Sequence, residues 1–415
     1  MEAQPRPEEL LCEILRTAAG GVSSSVIFTR QRVILRVAFW LLKPFAFFTR
    51  RLDWVVGPED IALMATHIAA ALPRSYTAIH ARNPFYAVEY DAVIQKPSTA
   101  LGGRISVWRR LYGGPLLLAW LVNRSRGFIY VGGGAYLEGH HDEREFEFAF
   151  IRRHGRRLVC YFTGNDIRSP KLMAQRAERT GRPNIGTALM AADPVFASDE
   201  YDDARRLRAQ VAERYAETIF TAREDQLSYL TRPTRPFLYF YPDELFAAAS
   251  DKFDSTERVV VVHAPSNPLL KGTDAVRQVM ARIMQENPGV DYRELIGVPH
   301  EKVLRALDEA HIALNEFYSS MPGVFGVEAM ARRCVLVTSA RVADEPDLGS
   351  EAADAWVVAD VGTLHDVVTG ILSHPERMAP QAESGYEWAR LHASASACSR
   401  VIAEILGPPA ASAKA

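Results

Sequence analysis

From about residue 54 onward, short runs rich in valine, isoleucine and aromatic residues alternate with longer stretches whose apolar positions repeat at helical spacing. Strands are predicted at 53–57 (DWVVG), 75–81 (SYTAIHA), 127–133 (GFIYVGG), 156–162 (RRLVCYF) and 217–222 (ETIFTA). Helical patterns fall between them, for example over 59–72 and 199–217. A proline-rich stretch, TRPTRPFLYFYPDE (231–244), breaks the rhythm and reads as a linker. A second alternating series follows, with strands at 258–265 (RVVVVHAP), 291–297 (DYRELIG), 311–317 (HIALNEF), 334–339 (CVLVTS) and 355–360 (AWVVAD). A helical stretch over 376–406 and a loose tail, GPPAASAKA, close the series, and no short-period repeat is visible. Strands that alternate with helices build parallel sheets covered on both faces. The expected fold is therefore α/β with two doubly wound, Rossmann-like domains, 53–240 and 241–385. They are preceded by an extension (1–52) and followed by a C-terminal helix and tail (386–415). Such sheets bind ligands where strands run into helix N-termini, so the natural site is a cleft between the domains.

The extension carries its own pattern. Residues 26–51 (VIFTRQRVILRVAFWLLKPFAFFTRR) are strongly apolar, but Arg30, Arg32, Arg36, Lys43 and Pro44 interrupt them, so a membrane crossing is not expected. Arg32, Arg36 and Lys43 form one helical stripe among Val, Phe, Trp and Leu. Two readings follow: a helix lying in the plane of an anionic membrane surface, or a helix packed on the first domain with its charges in solvent.

Charge and cysteine usage narrow the classes. Lys and Arg number 48 against 50 Asp and Glu, giving a net charge of −2, which argues against bulk nucleic-acid binding. The four cysteines (Cys12, Cys160, Cys334, Cys398) are scattered, with no metal or disulfide spacing, and the opening MEAQPRPEELLCEIL is acidic where a signal peptide is basic. A cytoplasmic location is expected, with docking on the inner face of the plasma membrane as its variant.

Two loops of the second series carry chemistry. In VVVVHAPSNPLLKGTDAVRQVM (259–280) a buried strand runs into a loop with His263, Ser266 and Asn267, and then Lys271-Gly272-Thr273 opens a helix. A lysine there supplies a point charge for a phosphate, beside the free amides of a helix start. The first turn of a helix is electrostatically the wrong end for a cation, which favours a ligand role over a merely solvated lysine. In MPGVFGVEAMARR (321–333) Gly323 and Gly326 let backbone approach a ligand, and Glu328 offers two acceptor oxygens that match the paired hydroxyls of a ribose. The plain alternative is a glutamate that favours the positive end of its helix, worth about 0.3–1 kcal/mol.

The pair HAPSN…KGT and GVFGVEAMARR resembles the nucleotide-binding domain of GT-B retaining glycosyltransferases of the large family 4 group. The likeness spans roughly 125–400 and is strongest over 259–340. It implies transfer of a sugar from a nucleotide diphosphate sugar with retention of configuration, with no metal and no further cofactor. Carried over, Lys271 holds the diphosphate and Glu328 the ribose. Gly323, Val324, Phe325 and Gly326 embrace the pyrophosphate and sugar, with His263, Ser266, Asn267 and Gly272 lining the donor. In the first domain LVCYFTGNDIRS (158–169) is similar to the family's strand followed by His-Gly-Ser-Asp-Val-Arg. That similarity implies that Asn165, Asp166 and Arg168 face the cleft, Asp166 with a catalytic part, and that Gly133 and Gly134 in IYVGGGAYLEGHH (129–141) touch the acceptor. On its own, that glycine run also suggests a methyltransferase or dinucleotide loop, but the fingerprint spacing is missing. His140, His141, Asp142 and Glu143 make a conceivable metal cluster, less expected than a solvated loop and an acidic helix start. IGVPHEKVLRALDEA (296–310) is expected near the base.

Three positions depart from the family pattern. Ser266 stands where an arginine is usual, Ser320 where a first glutamate is usual, and Thr163 where the histidine is usual. A branch of the family with HAPS…KGT also lacks the first two groups, and Glu316 is the carboxylate placed to replace the lost one. No nucleophile is evident, so catalysis is expected to be electrostatic, on a departing diphosphate. The expected acceptor is a glycan, a lipid-linked sugar or a small molecule. Two rivals stand beside this reading: a non-catalytic GT-B-like scaffold, suggested by the missing arginine and glutamate, and a nucleotide-sugar epimerase.

Overall fold

The computed structural model describes residues 24–82, 86, 88–95, 102–138, 142–248 and 251–407. Two compact units divide them: the first takes the chain up to Tyr161 together with Gln210–Ile219, the second Phe162–Ala209 and Phe220–Gly407. This division differs from a break at 240/241. The proline-rich stretch expected to be a linker is packed, with Leu238, Tyr239, Phe240 and Tyr241 all buried. The Tyr241 amide donates to the Ala393 carbonyl and the Phe240 amide to the Cys398 sulfur, so the stretch is pinned to the last helices of its own unit. Its aromatic residues gain more from burial than the prolines lose by interrupting regular structure.

The first sheet is parallel, in the order β3 (Ala92–Gln95), β2 (Ser75–Ala81), β1 (Leu52–Pro58), β4 (Ser125–Val131), β5 (Arg157–Tyr161), β6 (Thr218–Phe220). Every residue of β1 is buried, as expected of a strand covered on both faces. The second sheet runs β11 (Val357–Val358), β10 (Val335–Thr338), β9 (Ile312–Leu314), β7 (Val259–His263), β8 (Val290–Glu294), again parallel throughout. Val261, Ile312, Leu314, Val335 and Val337 form one side of its core, and Val260, Val262, Ala313 and Leu336 the other. Both doubly wound sheets therefore follow from the buried runs in the sequence.

Two elements of the first unit were not anticipated. Strand β3 is a four-residue edge strand, too short for its pattern to stand out. A 23-residue helix over Gly102–Arg124 contains Gly113-Gly114-Pro115, which reads as a turn in sequence. A Cβ on Gly114 would lie 2.0 Å from the Tyr136 carbonyl oxygen, so the helix needs a bare backbone at that point to approach the 135–137 loop. Burial of Leu118, Ala119, Leu121 and Val122 beyond the proline holds it helical. Against it packs the helix Ser24–Ala46, through Ile27, Leu35, Ala38 and Phe39. Asn123 Nδ2 donates to the Phe39 carbonyl (2.9 Å) and Gln31 Oε1 accepts from the Glu138 amide (2.7 Å). One face of the 26–51 segment is thus packed on the first unit.

Candidate nucleotide-sugar site

Strand β7 ends in His263, whose ring is buried. Nδ1 lies 2.8 Å from the Leu314 carbonyl and Nε2 2.9 Å from the Thr273 hydroxyl. Burial pulls its pKa down to about 4. The ring is neutral, donates from Nδ1, accepts at Nε2, and ties β7 to β9 and to the following helix. His263 therefore braces the loop that follows it. In that loop Ser266 is exposed, and Asn267 caps a one-turn helix (Pro268–Lys271) by accepting from the Leu269 and Leu270 amides at 3.2 and 3.3 Å. Gly272 then takes a left-handed conformation, φ 72°, and a new helix runs over Thr273–Glu286.

This geometry corrects one premise. Lys271 closes a short helix instead of opening a long one, so it does not oppose a helix dipole. What marks it out is its partner. Lys271 Nζ lies 2.8 Å from Glu316 Oε1, both side chains largely buried, and Glu316 in turn faces Gly323. A Cβ on Gly323 would come within 2.2 Å of Glu316 Oε1, and the residue has φ 63°, so glycine is required on two counts. Lys271, Glu316 and Gly323 thus meet at the carboxyl end of β9.

Gly323 begins the helix Gly323–Ala331. Gly326 sits on the buried side, where a Cβ would crowd Asn315, Pro322 and Leu336 at 3.0–3.2 Å. Val324 and Phe325 are half-buried against the core. Glu328 becomes the sixth helical residue. The helix-end field acts over the first turn, so it does not account for this carboxylate. Glu328 is buried, and its Oε1 lies 2.6 Å from His300 Nε2 at the start of a helix over His300–Glu309. The stretch 296–310 is expected near the base from its place after a strand; the contact it makes here is that of His300 with Glu328, and nothing in the sequence singled His300 out.

The loop of the first-domain motif lies in the second unit, and its polar groups are engaged with protein. Asp166 accepts from the amides of Thr163, Gly164 and Ile167 (2.9, 2.7 and 3.1 Å), folding the turn around itself. Arg168 donates to the Asp225 carboxylate (2.7 Å), the Asp225 carbonyl (2.7 Å) and Asn165. Asp225 also accepts from the Ser319 hydroxyl (2.6 Å) and the Ser320 amide (2.7 Å). The position without the usual glutamate is therefore held by its backbone to the Arg168 hub. Beside it a cavity of about 250 Å³ is lined by Arg176, Arg182, Tyr318, Ser320 and Arg341 among others. Asp344 pairs with all three of these arginines.

In the first unit, the Gly133 and Gly134 amides both donate to Glu59 Oε2, at 2.9 and 3.1 Å. Of the conceivable metal cluster, His140 and His141 lie outside the described residues, while Asp142 accepts from the Phe146 amide at the start of a helix over Glu145–Arg153.

Glu345 adds a titration to the hub. Its Oε2 accepts from the Glu224 and Asp225 amides (2.7 and 3.0 Å), and Oε1 is buried with no hydrogen-bond partner among the described residues. Burial raises its pKa to about 7. A raised carboxyl stabilises the fold at pH values below the ordinary 4.5, and that contribution is lost as pH rises through 7. Glu345→Gln mimics the protonated acid. In chemical-denaturation curves the difference between wild type and variant should grow in the variant's favour by up to about 3 kcal/mol from pH 4.5 to 7.5. A difference independent of pH would show that Glu345 does not titrate there.

No family model matches the sequence, and no curated protein matches it. Solved structures do. Sucrose-phosphate synthase from Thermosynechococcus elongatus aligns over 86% of this chain and 98% of its own, at 12% identity and TM-score 0.57. WaaG, a glycosyltransferase involved in lipopolysaccharide biosynthesis, aligns over 86% of this chain and 100% of its own, at 13% identity and TM-score 0.50. The two parallel α/β units of this chain share the GT-B fold of these proteins.

Proposed function

We propose that the protein is a retaining, metal-independent glycosyltransferase that moves a sugar from a nucleotide diphosphate sugar to a glycan, lipid-linked or small-molecule acceptor. The observation that carries the reading is the meeting of Lys271, Glu316 and Gly323 at one strand end, with Glu328 buried in the helix that starts there. Glycines where a ligand's phosphates need bare backbone, a lysine within reach and a carboxylate further along the same helix form a donor site in the GT-B fold.

In this site the Lys271 ammonium, held by Glu316, faces the departing diphosphate and stabilises its growing charge. The bond from the sugar's anomeric carbon to the diphosphate oxygen breaks. The bond to the acceptor oxygen forms on the same face, and the acceptor proton leaves with the diphosphate. Glu328 receives the ribose hydroxyls, with His300 fixing its carboxylate. Asp166 acts by positioning, since its oxygens hold the turn that carries Asn165 and Arg168.

The test is a thermal-shift screen of the full chain against UDP, GDP and ADP and their sugars, followed by release of free nucleotide on adding acceptor. Stabilisation by one nucleotide with acceptor-dependent release is expected. Donor converted without acceptor would make the protein an epimerase, and no stabilisation by any of them would make it a scaffold.

A further inference from the structure

The helix Ser24–Ala46 is apolar on both sides. Ile27, Leu35, Ala38 and Phe39 are buried, while Val26, Val33, Val37, Trp40, Leu41 and Phe45 emerge on the opposite side, followed by Phe47 and Phe48. Trp40 is 63% exposed, Phe47 80% and Phe48 86%, each more than any exposed large apolar side chain described outside this segment, and they belong to one patch instead of lying scattered. An apolar band on the outer side as well as on the inner one needs apolar cover on both. Only its inner side is met by this chain among the described residues.

The charge around the outer side says what meets it. Arg30, Arg36, Lys43, Arg50 and Arg51 are exposed along the same stretch, and no Asp or Glu occurs from Ser24 through Leu52. Lys43 lies 4.9 Å from the Trp40 ring, the pairing of cation and indole that suits the boundary between lipid headgroups and acyl chains. A second copy of this face would oppose these cations to one another. A sheet of anionic headgroups over an apolar layer complements both features. No described helix is long and apolar enough to cross a membrane, so the contact is in plane. The inner side fixes the helix to the first unit: Phe39 stacks on His154 with centroids 3.9 Å apart, and Arg32 sits 4.3 Å from the Phe146 ring. We propose that the outer face of this helix, from Val33 to Phe48, docks the protein on an anionic lipid bilayer. The proposal stands whether or not the protein transfers sugars.

The experiment is co-flotation of the full chain with phosphatidylcholine vesicles, with and without phosphatidylglycerol. Binding should be at least about tenfold tighter with the anionic lipid and weaken with salt. A variant carrying Trp40→Ser, Phe47→Ser and Phe48→Ser, checked for an unchanged circular dichroism spectrum, should lose at least about tenfold. Should that variant misfold, Arg36→Gln with Lys43→Gln should remove the preference for phosphatidylglycerol and keep residual binding. Binding to neither vesicle, or equal binding by the variants, would overturn the proposal. So would a dimer by light scattering that the serine variant dissolves, which would assign the face to a second copy.

Discussion

Lys271→Ala should lower turnover by about 10²–10³-fold, the loss typical of removing one preorganised group that stabilises transition-state charge. The donor's KM should change less, because the diphosphate's charge grows mainly as its bond to the sugar breaks. The single variant has a second consequence. It leaves the buried Glu316 carboxylate without its cation, which destabilises a fold by about 3–5 kcal/mol when no relaxation intervenes. Lys271→Ala combined with Glu316→Gln removes that orphan charge. The double variant should melt close to wild type and remain as slow as the single one. Turnover recovered together with stability would show that Lys271 only neutralises Glu316.

Glu328→Ala should weaken nucleotide binding by about 10–100-fold, the loss of about 1.5–3 kcal/mol from charge-assisted hydrogen bonds. The readout is the stabilisation conferred by nucleotide, compared with the melting temperature of the ligand-free protein. Glu328 also receives a hydrogen bond from His300 when the ring donates, so His300→Ala should shift both quantities in the same direction by less. Glu328→Gln keeps one acceptor oxygen and should fall between wild type and alanine. A Glu328→Ala protein that melts lower but gains as much from nucleotide as wild type would make the residue a structural partner of His300.

The sequence carried the two sheets plainly. Runs such as VVVV before His263 and VLVT after Cys334 are what fully covered parallel strands require, and each became a strand. It also marked the two loops proposed as the donor site, since Lys271-Gly272 and the glycines at 323 and 326 are local features of the chain. It did not fix the helix boundaries around either. Helical periodicity cannot show that Gly272 breaks LLKGTDAV in two or that the later helix starts at Gly323, because both are decided by a left-handed residue whose neighbours are remote in sequence.

What the sequence determined by itself is local: which segments bury both faces, where glycine permits close approach, and which charges stand beside them. The tertiary structure alone decided the pairings. Glu328 meets His300 28 residues away, Arg168 meets Asp225 57 away, and Gly133 meets Glu59 74 away. It also decided that the stretch around Tyr239 is core and that, among the described residues, the outer side of the helix Ser24–Ala46 stays uncovered. The reason is physical. Propensity and periodicity act over a few residues, whereas a hydrogen bond or a buried face depends on which distant segment packing brings alongside, and nothing in the local chain encodes that partner.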